Sequence, residues 1–160
     1  MTQIVAPNSL LYKQDLNLWL EQAIAQLKSG QLNELDIENL IEELEGLAGR
    51  DRLELKNRLT TLLEHLLKRC YVESEYDYTG WQITIIRNRI EIENILEQSP
   101  SLKHYLNSPE LFENAYNSAL RLVGAESSYK SVNFPNSWQF GSDIDAILSV
   151  DFWELSEKKH

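Results

Sequence analysis

Four glutamates in one stretch, Glu38, Glu42, Glu43 and Glu45, are the first residues in this chain whose spacing invites chemistry, since carboxylates on one helix can bind a metal or move protons. A di-iron centre built on helices needs in addition two Glu-x-x-His pairs aimed at a shared site. The one pair at that spacing is Glu157 with His160, at the C-terminal end; His65 directly follows Glu64, and His104 has Ser101 three residues before it. The acidic face therefore reads as solvated, with no metal and no cofactor expected.

Nucleophilic chemistry finds no more support. Cys70, the single cysteine, lies on an apolar helical row where a thiol behaves as a small hydrophobe, and Lys68 and Arg69 project from other sides of that helix. There is no glycine-rich phosphate loop, no G-x-S-x-G and no C-x-x-C. These residues fit a non-enzymatic protein. The alternative is a hydrolase-type enzyme in which Glu43 or Glu45 works with His65 in a cleft between helices, beside Trp81, with Arg89 converging on the same pocket.

Arg89 is the most informative polar residue. It falls in line with Trp81, Ile85, Ile92 and Leu96, so its guanidinium faces the core and cannot remain unpaired there without a cost of several kcal/mol. The expected partner is Glu43 or Glu45, in a buried ion pair that fixes helix register.

The element that must position these groups is the stretch Leu35 to Cys70. Ile37, Leu40, Ile41, Leu44, Leu47 and Ala48 form one apolar row, and Leu55, Leu59, Leu62, Leu63, Leu66 and Leu67 continue the period. Asp36 is placed to cap its start. Gly46, Gly49 and the pair Asp51 and Glu54, at capping-box spacing, favour a break or kink near Gly49. An unbroken helix of this length would span ~53 Å, against a radius of gyration of ~15 Å for one compact chain of this size.

Around it the spacing predicts a helix from Leu10 to Ser29 ended by Gly30, a loop with aromatic anchors from Tyr71 to Trp81, and a helix from about Gly80 to Gln98 capped by Thr79. That helix carries a second apolar row, Ile83, Ile86 and Ile90. A short helix at 101–106 follows, then one opened by Ser108-Pro109 that runs to about Gly124. A loop over 125–141 leads to a last short helix capped by Ser142 or Asp143, and Phe152 and Trp153 seal the end. The expected fold is an all-α bundle of five or six helices around a central long or kinked helix, a single helical domain over 1–160 with a flexible start (1–9) and a frayed tail (154–160).

A net charge of −10 opposes binding to nucleic acid or anionic membrane, because phosphate binding depends on cations displacing counterions. No apolar run approaches the ~18 residues of a membrane span, and the opening residues do not form a signal peptide. A soluble, cytoplasmic protein acting through protein contacts, by self-association or with a partner, is the expectation. Acids dominate the central stretch before Gly46 and bases after it. If that helix is continuous, an antiparallel copy can match the two halves in a homodimer burying at least ~1,000 Å².

The order of motifs resembles a bacterial, mostly cyanobacterial, family called domain of unknown function 29. The matching pieces are YKQDLNLWLEQAIAQLKSGQLNELDIENLIEELEGL, NRLTTLLEHLLKRCY, Trp81 to Ile92 followed by SPSL, AYNSAL, Phe134-Pro135 and ILSVDFW. Where the family has a cysteine-proline pair after Phe134-Pro135, this chain has Ser137, Trp138 and Gln139. The resemblance implies an all-helical cytoplasmic protein and brings no catalytic residues with it.

Overall fold

The computed structural model describes residues 7–157; what was expected of residues 1–6 and of His160, the partner of Glu157 in the Glu-x-x-His pair, lies outside them. The fold is all-α: among the described residues there are eight helices and no strand. They are α1 (Pro7–Gln14), α2 (Leu16–Ser29), α3 (Ile37–Tyr71), α4 (Glu75–Gln98), α5 (Leu102–Leu106), α6 (Pro109–Ala125), α7 (Ile144–Ser149) and α8 (Phe152–Glu157). Contacts divide the chain into two compact units, one ending at Arg50 and one beginning at Asp51, and α3 contributes to both.

In the N-terminal unit the helix expected from Leu10 is two helices. The Asp15 backbone is extended, its amide donates to Leu11 O to close α1, and its carboxylate accepts from Leu18 N at 3.0 Å to open α2. Pro7 to Ser9, expected in a flexible start, form the first turn of α1. Gly30, at φ 74°, ends α2 in the left-handed conformation that glycine adopts without a Cβ penalty. Asp36 caps α3: its carboxylate accepts from Asn39 N at 3.5 Å, Asn39 Nδ2 at 2.7 Å and Trp19 Nε1 at 3.2 Å.

The break expected near Gly49 is absent, and α3 is one helix. Both Gly46 and Gly49 keep negative φ, and a Cβ built on either would meet nothing within 4 Å. The length comparison that favoured a break assumed one compact body. A helix shared between two units is under no such limit.

In the C-terminal unit the second half of α3 supplies a row that is wholly removed from water: Leu55, Leu59, Leu62, Leu63, Leu66 and Leu67. Ile85 and Ile92 of α4, Ala115, Ala119 and Val123 of α6, Ile147 of α7 and Phe152 of α8 complete the same core. Each buried leucine contributes roughly 1.5–3 kcal/mol. The helix α4 starts at Glu75, one turn before the expected Thr79 cap, where Ser74 Oγ donates to Asp77 Oδ2 at 2.6 Å. Tyr78 and Trp81 are thereby held on one helix, with Trp81 edge-on to Tyr129. Asp143 is the N-cap residue of α7, as one of the two expected positions, but its side chain makes no capping bond; the amide of Ile144 donates to Asn107 Oδ1, at the end of α5, at 3.2 Å. The tail expected to fray from Glu154 continues as α8 to Glu157.

Because both mid-helix glycines have helical φ and open space, Gly46→Ala and Gly49→Ala are each expected to stabilise α3 by about 0.5–1 kcal/mol. Urea titration followed by helical circular dichroism is the check, and a loss of stability in either variant would show that the glycine is needed there.

Candidate functional site

Arg89 is buried, as its row requires, but its partners are not Glu43 or Glu45. Nε donates to Ile147 O at 3.0 Å, one Nη donates to Val150 O, and the other reaches Asp151 Oδ1 at 3.5 Å. These carbonyls are the unpaired acceptors at the C-terminal end of α7, so Arg89 caps that helix from α4 and ties the α7–α8 junction to the core. Burial pulls the Arg89 pKa down and Asp151 opposes the shift. Glu43 instead accepts from Tyr12 Oη at 2.7 Å, a bond that, with the neighbouring acids, pushes the Tyr12 phenol up to about 12. Glu45 is exposed.

The other residues of the hydrolase alternative have local partners. His65 Nδ1 is 2.9 Å from Thr61 O, the carbonyl one turn back on its own helix. Trp81 is buried against Tyr78 and Tyr129. Cys70 is partly buried against the core. Among the described residues no three His, Cys, Asp or Glu side chains gather as a metal would require.

Sequence reasoning passed over Lys68, which is buried and bridges two carboxylates, Glu64 Oε1 at 3.1 Å and Glu126 Oε1 at 3.2 Å, beside the Tyr129 ring. Burial alone would lower its pKa, but the two hydrogen-bonded carboxylates outweigh burial and raise it. Next to it the Arg69 guanidinium lies over the Tyr78 ring, its Cζ 3.8 Å from the centroid, and also faces Trp153. Arg69, Tyr71, Tyr78, Ser128 and Asn133 line an open cleft of about 600 Å³; a second of about 540 Å³ lies between Arg52, His104, Tyr105 and Pro109. The Glu64 to Lys68 spacing was visible as an i,i+4 pair. Glu126, at the end of α6, was not.

Apolar surface is distributed very differently in the two units. Among the described residues of the N-terminal unit Trp19 and Ala23 are the buried apolar side chains, whereas ten large ones are exposed. Asp36, Asn39, Leu40 and Glu43 form the half-buried face of α3 there, engaged by Tyr12 and Trp19. On an adjoining face Ile37, Ile41, Leu44 and Ala48 follow at four, three and four residues and all are exposed, the first three by about half. The C-terminal unit also leaves a row open, Ile83, Ile86 and Ile90 of α4, on the face opposite its core residues Ile85 and Ile92. No helix is long and apolar enough to cross a membrane among the described residues.

Two outcomes follow from the buried cations. Arg89→Ala, which strands the buried Ile147 carbonyl and the part-buried Val150 carbonyl, is expected to cost about 3 kcal/mol, and Asp151→Asn, at a half-exposed carboxylate, under about 1 kcal/mol; equal costs in chemical denaturation would show the ion pair, not the helix cap, to be the main interaction. For Lys68 the raised pKa means that its stabilising contribution is complete below the ordinary lysine value of 10.5 and declines as pH rises through the higher folded-state value. The stability gap between the native protein and Lys68→Met should therefore be constant across neutral pH and narrow only above about pH 10.5, as measured by urea midpoints.

A match to one known family, described as domain of unknown function DUF29, covers residues 11–153. No curated protein and no solved structure matches the chain. With nearly its whole length matched, the chain belongs to the DUF29 family.

Proposed function

We propose that this protein acts through protein contacts and not as an enzyme, and that the N-terminal unit is its contact surface. The observation that carries this reading is the unit's sparse core: among its described residues two apolar side chains are buried and ten large ones exposed. A folded helical unit that leaves most of its apolar residues in water resembles a domain core cut open, the character of an interface that is covered in use. The C-terminal unit, by contrast, buries its leucine row completely. The groups of the hydrolase alternative have structural partners, which supports this reading: Arg89 and Glu43 are engaged by other helices, and His65 by the Thr61 carbonyl of its own helix.

Site-specific photo-crosslinking in the native cell tests this. A crosslinker at Leu44 should yield a discrete protein adduct that disappears in Ile41→Gln, while the same group at Glu113, an exposed position on α6, yields none. Absence of any Leu44 adduct, or equal labelling from Glu113, would refute the reading.

A further inference from the structure

We infer that the exposed face of α3 in the N-terminal unit receives a basic amphipathic helix, presented by a different protein. This rests on the reading of that unit as a contact surface and names the chemistry of what covers it.

Ile37, Ile41 and Leu44 stand on one helical face at the four-and-three spacing by which one helix anchors another in an apolar groove. Their exposure is what leaves the face available. Glu38 and Glu45 run along one edge of that row, both exposed, with Glu42 beyond them. Across residues 1–50 there are three basic residues, Lys13, Lys28 and Arg50, against eight acids. An occupant must therefore bring apolar anchors for the row and positive charge for its edge; a helix with leucine or isoleucine on one side and lysine or arginine beside it has both.

A second copy of this chain does not. Its own N-terminal unit carries the same net charge of −5, and so does the remainder, given −10 for the whole. Its basic segment around Arg52, Lys56 and Arg58 has Leu55 and Leu59 fully buried in the C-terminal core and Leu53 as its exposed large apolar side chain. That segment offers charge with one anchor, where the row of Ile37, Ile41 and Leu44 needs several. The exposed isoleucine row of α4 offers anchors, but on a helix with five acids and two arginines, one of them Arg89.

The test uses the full chain and two synthetic helices of about five turns, identical in their leucines and differing in lysine or glutamate at the flanking positions. Fluorescence anisotropy at about 0.15 M salt should show the lysine helix binding at least about ten-fold tighter than the glutamate helix. Ile41→Gln with Leu44→Gln, which keeps the charge and removes exposed anchors, should abolish binding while helical content and Trp19 fluorescence stay unchanged. Glu38→Lys with Glu45→Lys should reverse the preference. Binding that survives the glutamine variant would be general attraction to an acidic protein and would overturn the inference, as would equal affinity for both helices or binding of neither. A dimer in sedimentation equilibrium that is lost in the glutamine variant would also overturn it, by showing a second copy as the occupant. Any of these results, beside a discrete Leu44 crosslink, leaves the contact-surface reading standing; loss of the crosslink itself is what removes that reading.

Discussion

Six leucines on one side of α3, from Leu55 to Leu67, have to leave water together, and most of the C-terminal unit follows from that demand. A row this wide cannot be covered by one neighbour. The core is closed by α4 and α6 together with the short helices α7 and α8, which are too brief to persist alone. Their ends must be held from outside, and the guanidinium of Arg89 does this by taking up carbonyls of Ile147 and Val150 that would otherwise be buried without donors.

The same economy of polar groups organises the loop between α6 and α7. Tyr116 Oη donates to Pro135 O at 2.6 Å, and burial pushes that phenol up to about 12. Trp138 meets Tyr116, Phe140 and Phe152 at ring-centroid distances of 5.1 to 6.2 Å. Ser137-Trp138-Gln139, where the family resemblance leads one to expect a cysteine-proline pair, thus places an indole in an aromatic cluster that fastens an otherwise irregular segment. Asn88 Oδ1 is buried without a hydrogen-bond partner, and we have no physical account of it.

The N-terminal unit is governed by a different balance. Its order comes largely from directed bonds, Asp36 receiving Trp19 and Asn39, and Glu43 receiving Tyr12, with very little apolar burial behind them. Hydrogen bonds contribute modestly in water, since each replaces a bond to solvent. The isoleucines and leucines left exposed are the apolar area that such a unit does not bury by itself.

Much of the architecture was legible in the residues because its causes are local. Period located most of the helical sequence, though it merged α1 with α2 and left α8 in the tail; Gly30, Asp36 and Ser108-Pro109 marked ends through bonds to neighbouring amides, and the burial of Arg89 followed from its place in an apolar row. The partner of Arg89 was not legible, since it is largely a pair of backbone carbonyls and a carbonyl carries no residue identity. Nor could the residues tell which apolar rows would end up covered. Ile37, Ile41 and Leu44 have the same period as Leu55, Leu59 and Leu62, yet one row is exposed and the other has no accessible surface. Sequence determined that each row exists. Only the tertiary structure decided which is buried, because burial depends on how many other helices the chain can bring against that face.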